Sequence, residues 1–318
     1  MPSPEWLIER GIGETRMALI DAGEIVEARI LLDGQRRAGC VIAARLLSAG
    51  IRGRNAVARS ADGQEYLLPR GATGCAEGGT IAIEVTREAI PGAEPWKRPL
   101  AQLTDRPLGD APESVGQSLA FPAPADALGA VGWNDLIDEA RSGIVRFPAG
   151  ELAVKPTRAM IMIDVDGASE PNELALAGAT AAANAIRRLD LQGSIGIDLP
   201  TGASKQSRQD AAALFDAIIP QPFERTAVNG FGFIQIVRPR RRASLVDLAA
   251  DRAAFEARAL LRRAALEPAG AKTLVAHPAL VAVFEAKPEW LDALAAQAGG
   301  AISLRPDARL AMAGGHAS

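Results

Sequence analysis

The sequence predicts an α/β chain (α+β overall): a mixed sheet with flanking helices, an OB-like β-barrel before it and a small α/β unit after it. Three observations carry this. Short apolar runs broken by glycines fill the N-terminal third, Ala-rich helical stretches alternate with buried-type strands beyond residue 144, and a proline-dense stretch separates the two. With 318 residues, 48% of them apolar, the chain has room for roughly two domains of about 100–200 residues each.

Residues 1–37 read as strands. Trp6-Leu-Ile-Glu, Arg16-Met-Ala-Leu-Ile and Ile25-Val-Glu-Ala-Arg-Ile-Leu-Leu are apolar runs, punctuated by Gly11, Gly13 and the Asp21-Ala-Gly23 turn. Gly11-Ile-Gly13 is read as a turn and not as a dinucleotide loop, because Arg16 stands where the third glycine belongs. Residues 38–90 read as a small antiparallel barrel. Its strand-like runs start at Cys40, Asn55, Glu65 and Thr80, and Gly50, Gly53, Gly63 and Gly78-Gly79 lie between them. Such barrels often bind RNA, and Tyr66 is the single tyrosine offered for stacking; a purely structural barrel fits the pattern equally. Residues 91–128 hold seven prolines and read as a linker.

Residues 129–245 form the second compact unit. Ile144-Val-Arg-Phe and Glu151-Leu-Ala-Val-Lys are strands, Ala159-Met-Ile-Met-Ile-Asp is a buried strand, and Asn172 to Leu189 is an Ala-rich helix with Asn172 as candidate cap. Ile195-Gly-Ile-Asp198 is a strand, Ser207 to Ile219 a helix and Phe231 to Val237 an alternating strand. Residues 246–318 form the small α/β unit: a helix over about 247–266, a strand at Thr273, helices opened by His277-Pro278 and Glu289, and a strand at Ala301, with a disordered tail from Gly314.

Composition excludes several functions. The net charge is −3, so nucleic-acid binding requires a local basic patch rather than a whole-protein field. Cys40, Cys75, His277 and His316 supply too few ligands for a structural zinc site, and the two cysteines read as reduced thiols. No apolar run approaches the roughly 18 residues of a membrane span, and the first residues show no signal-peptide core. The expectation is a cytoplasmic protein without membrane partners.

One chemical feature occurs twice. Met160-Ile-Met-Ile-Asp164-Val-Asp166-Gly and Ser194-Ile-Gly-Ile-Asp198 both end in acids, with a helix between them. A strand–helix–strand unit makes its strands parallel, so both carboxyl ends reach the edge where ligands of open α/β sheets bind. Asp166 points to the same side as Asp164. Clustered carboxylates repel unless a proton or cation neutralises them, and Mg²⁺ held by one or two carboxylates answers that need. The same acids also suit helix caps or turns.

These residues carry a resemblance. Val145-Arg-Phe-Pro-Ala-Gly-Glu-Leu-Ala-Val with Ala159-Met-Ile-Met-Ile-Asp-Val-Asp-Gly, then Ala181-Ala-Ala-Asn-Ala-Ile-Arg-Arg-Leu-Asp-Leu-Gln-Gly-Ser-Ile-Gly-Ile-Asp198, then Phe231-Gly-Phe-Ile-Gln-Ile-Val-Arg-Pro-Arg240 with Ser244-Leu resemble, in order, three blocks of the bacterial ribonuclease E/G catalytic domain. The resemblance implies ribonuclease-H-like N-terminal strands with the barrel inserted after them. It implies a Mg²⁺-dependent endoribonuclease (Mn²⁺ as substitute) acting on single-stranded RNA in RNA processing or decay. Asp164 and Asp198 would hold the metal, with Asp166 at the position of a supporting asparagine. Hydrolysis would leave a 5′-phosphate and a 3′-hydroxyl.

This sequence departs from that pattern at named places. Thr201 replaces a second acid, Gln235 replaces a glutamate, the zinc-linking Cys-Pro-x-Cys is absent, and the 5′-end sensor shrinks to residues 91–128. The departures imply no zinc, no zinc-linked tetramer and no strong 5′-monophosphate dependence; a homodimer remains compatible. They also leave a second expectation, a non-catalytic RNA-binding relative, and a third, an unrelated metal-dependent phosphohydrolase. Arg238, Arg240, Arg241 and Arg242 are the densest basic run, read as phosphate contacts in view of the resemblance and otherwise as a solvated turn. Lys205 and Arg208 at a helix start, and Arg146, complete the candidate RNA-binding set; Lys205 and Arg208 read equally as surface charges.

Overall fold

The computed structural model describes residues 3–50, 54–112 and 115–318. Gly53, one of the expected turn glycines, lies outside them. The fold is mixed α/β, with several mixed sheets and one closed five-stranded barrel. Strands β1 (Glu5–Arg10), β2 (Glu14–Asp21) and β3 (Glu24–Leu32) form an antiparallel meander. Gly13, at φ +75°, turns β1 into β2, so the Gly11-Ile-Gly13 stretch is indeed a turn.

The barrel comprises β4 (Val41–Ser48), β5 (Ala56–Ser60), β6 (Glu65–Leu68), β7 (Thr80–Arg87) and β8 (Leu100–Leu103), in the order β4-β5-β6-β8-β7 and closed by β4 pairing with β7. The closing strand β8 comes from the stretch read as a linker. Leu67 pairs with Leu100 in parallel and Ala101 enters the barrel core, which hides an edge that β6 and β7 would otherwise expose. Residues 91–128 also supply β9 (Gln117–Leu119), parallel to β1, and helix α1 (Ala127–Ala130). Tyr66 is 1% exposed inside the barrel, and burial lifts its hydroxyl to about 12. It is therefore no stacking platform.

Helix α2 (Trp133–Ser142), not read from the sequence, leads into the central sheet. There β10 (Ile144–Phe147), β11 (Gly150–Pro156) and β12 (Ile161–Gly167) run antiparallel. Helix α3 (Pro171–Arg188) crosses over to β13 (Gly193–Asp198), which lies parallel to β12. Helix α4 (Lys205–Ile218) follows, then β14 (Glu224–Arg225) and β15 (Phe233–Arg238), giving the order β10-β11-β12-β13-β15-β14. The cap of α3 is Glu170, with Pro171 opening the helix; Asn172 sits inside the first turn.

One face of this sheet is apolar: Leu152, Ile163, Ile195, Ile197 and Ile236 pack beneath α3 and α4. Ala18, Ala28 and Ile30 of the N-terminal meander join the same core from the far side of the helices. Small residues bring α3 close to the sheet, and at Gly178 an added Cβ would lie 2.4 Å from Val165 Cγ1. Gly178→Val is therefore expected to cost about 1–3 kcal/mol by overpacking, read from the denaturant midpoint. This exceeds the helix-propensity gain available from removing a glycine.

The C-terminal unit holds α5 (Leu245–Ala249), α6 (Arg252–Leu266), β16 (Lys272–Ala276), α7 (Pro278–Ala286), α8 (Pro288–Ala298), β17 (Ile302–Pro306) and β18 (His316–Ala317). The single helix expected over 247–266 is two helices: Ser244 and Asp247 form a capping box for α5, and Asp251 caps α6 anew. The tail expected to be disordered is β18, paired antiparallel with β16, and Ser318 exchanges backbone hydrogen bonds with Thr273. Among the described residues, no helix is long and apolar enough to cross a membrane.

Candidate functional site

Alternation along β12 and β13 creates the site. Ile161, Ile163 and Val165 point into the core, so Met162, Asp164 and Asp166 point outward; on β13, Ile195 and Ile197 point in, and Ser194, Gly196 and Asp198 point out. Asp164 and Asp198 are register partners in the parallel pair, on strands about 4.8 Å apart. Both are exposed, on the face opposite the one packed beneath α3 and α4. Burial of the carboxyl at the sheet edge, and then the charge of Asp164, push Asp198 above the ordinary aspartate range. No ion pair neutralises Asp164, Asp166 or Asp198 among the described residues.

Asp166 lies one outward step beyond Asp164, opposite Glu151 of β11. No group of three or more His, Cys, Asp or Glu side chains is placed to share one ion among the described residues. The arrangement is thus a pair, Asp164 and Asp198, with Asp166 and Glu151 beside it. Two carboxylates suffice for a hard divalent ion that keeps several waters.

The loops around this edge are fixed by hydrogen bonds. Asn172 Oδ1 accepts from Ser204 N at 2.8 Å, tying the first turn of α3 to the loop between β13 and α4. Thr201 Oγ1 donates to Phe231 O at 3.3 Å. Gly232, at φ +94°, lets the β15 hairpin approach Leu199, whose carbonyl would lie 2.2 Å from an added Cβ. Gln235 Nε2 donates to Ser194 Oγ at 3.2 Å on the outward face. Thr201 and Gln235, which depart from the acids of the resembling family pattern, thus hold loops and strands together.

The basic residues are dispersed. Arg238 donates to Leu191 O at 2.8 Å and is half-buried. Arg240 bridges Glu94 and Asp247, and Arg242 pairs with Asp190 at 2.5 Å. Of that run only Arg241 stays exposed, with its backbone N–H bonded to Gln192 Oε1. The single patch expected from the sequence is therefore not assembled: three of its four guanidiniums hold the fold together. Lys205 is exposed at the start of α4, whereas Arg208 folds back onto Ala203 O at 2.5 Å. Arg146 is exposed at the β10 side of the sheet, opposite Glu151.

Three residues with chemical potential escaped the sequence reading. Phe233 is the register partner of Asp198; an added Cβ on Gly196 would lie 2.7 Å from its ring and 3.0 Å from Met160 Sδ. The outward face of the sheet is therefore continuous from Asp198 past Gly196 to Met160. At that far end Trp96, 65% exposed, and Arg158 line a groove. The alternation of β15 signalled Phe233; nothing local signalled Trp96 or Arg158. No protein-family model matches the chain, and no curated protein matches it.

Proposed function

We propose that the chain is a metal-dependent endoribonuclease acting on single-stranded RNA. The observation that carries this reading is the register pairing of Asp164 with Asp198 on the outward sheet face, with neither in an ion pair among the described residues. The three sequence blocks that resemble ribonuclease E/G support it. The barrel supports it too: its strand order and its parallel β6–β8 pair suit an OB-like module, a common RNA binder.

Mg²⁺ fits the pair, because two adjacent carboxylates of hard oxygen character leave space for retained waters. When bound, such an ion polarises a phosphodiester and lowers the pKa of a water nucleophile. Asp164 and Asp198 would hold it. Asp166 and Glu151 would accept hydrogen bonds from water on the same face. Exposed Arg146, Lys155, Arg158, Lys205 and Arg241 are the cations left to meet phosphates, each contact flattening the salt dependence of binding by about 0.7 when removed.

Incubation of a labelled single-stranded RNA with the protein, with and without Mg²⁺, tests the reading. Internal cuts with 5′-phosphate and 3′-hydroxyl ends are expected, abolished by EDTA and by Asp164→Asn. Loss of the acids at Thr201 and Gln235 favours the second reading, a non-catalytic RNA binder, for which RNA binds in the same experiment and stays intact.

A further inference from the structure

The groove at the far end of the open sheet face has a volume of about 510 Å³. Its floor is the start of β12 and β13, at Met160 and Ser194. One wall is the stretch 92–97, the other the turn 157–159. Both walls are held in place. Gly92, at φ +82°, lies so close to α5 that an added Cβ would be 2.3 Å from Asp247 O. Arg240 clamps Glu94 to Asp247, and Lys97 N donates to Glu94 O at 3.0 Å. On the other side Thr157 N and Thr157 Oγ1 both donate to Met160 O, at 2.9 and 2.7 Å.

The pinned stretch presents Trp96 to solvent although an indole gains more than any other side chain from burial. The acids in the groove are already engaged. Glu94 is paired with Lys97 and Arg240, and Asp247 with Arg240 and the Ser244 cap. Arg158, exposed at the lip, makes no ion pair among the described residues. An exposed aromatic on one wall facing an uncommitted guanidinium on the other suits single-stranded nucleic acid: the ring stacks on a base and the cation meets a phosphate.

From this arrangement we infer that the groove is a base-binding subsite for the RNA strand, with one base stacked on Trp96 and the adjoining phosphate on Arg158. Four residue steps along extended chain lead from Met160 to Asp164, a path of about 13 Å. The Phe233 ring and Met160 Sδ lie over Gly196 along that path, so the strand would pass across an aromatic and thioether surface. The subsite thus grips the strand a few nucleotides from the carboxylate pair. It rests on the RNA reading above but does not need catalysis.

The experiment measures anisotropy of a labelled single-stranded RNA in EDTA, where nothing is cut, with Trp96→Ala, Trp96→Phe and Arg158→Ala. Trp96→Ala is expected to weaken binding roughly 5- to 150-fold, the range of one lost base stack. Trp96→Phe should retain most of the affinity, since a phenyl ring still stacks. Arg158→Ala should flatten the salt slope by about 0.7. In the Mg²⁺ cleavage assay, shortening the RNA below the span from carboxylates to groove should erase the Trp96 effect on cutting. Unchanged affinity in Trp96→Ala, or wild-type protein that does not bind RNA, overturns the subsite. Trp96-dependent binding without Mg²⁺-dependent cutting sinks the nuclease reading and keeps the subsite. Cutting that ignores Trp96 at every RNA length does the reverse.

Discussion

Asp198→Asn is expected to lower Mg²⁺-dependent RNA cleavage by more than about 100-fold, the upper range for losing even an indirect partner of a metal. The same substitution should leave the metal-free fold at least as stable as wild type at neutral pH. Asp198 is raised because its partial burial and the neighbouring Asp164 charge both disfavour ionisation. Its folded value therefore lies above its unfolded one. The stability tied to its proton is fully present below the ordinary aspartate value of about 3.9 and is lost as pH rises through the raised folded value. Melting curves in EDTA across that window should show wild type declining with pH and Asp198→Asn flat by comparison. Adding Mg²⁺ should then stabilise wild type, because a ligand that binds only the folded state shifts the equilibrium, and should leave the variant unchanged. A variant that gains as much from Mg²⁺ as wild type would place the ion elsewhere.

The second large effect is expected far from this face. Glu9, Glu14, Asp126, Arg16, Arg258 and Arg262 join the N-terminal meander to α6 in one charge cluster. Arg16 reaches Glu9 and Glu14 at 2.7 Å each, Arg258 reaches Glu14 at 2.7 Å, and Arg262 spans Glu9 at 2.9 Å and Asp126 at 2.5 Å. Three cations meet three anions, and Arg16 is 1% exposed. Arg16→Met removes the one guanidinium that touches both glutamates and leaves an excess negative charge out of water. The expected loss is about 3–5 kcal/mol, the usual cost of breaking a buried pair from one side. Arg59→Met, which breaks the exposed pair with Glu65, should cost under about 1 kcal/mol. Denaturant midpoints of the two variants compare them directly. Equal small losses would mean that water reaches the cluster and screens it.

The sequence by itself determined the pieces whose signals are local. Two strand-like runs ending in acids with a helix between them implied parallel strands, and so put Asp164 and Asp198 near each other at one sheet edge; their exact register and their outward face came from the tertiary structure. Tertiary structure decided what depends on distant partners. Leu100–Leu103 became the closing barrel strand only because β6 and β7 offered open edges, and proline density hid it. The arginine run looked like one patch, yet Arg240 found Glu94 at a separation of 146 residues and Arg242 found Asp190 at 52. A charge reads as free in a sequence until a carboxylate from elsewhere is brought beside it. The same holds for Trp96: local sequence marks it as an apolar residue among prolines, and only the clamp from Arg240 to Glu94 and Asp247 holds it out at the end of the path leading to the aspartates.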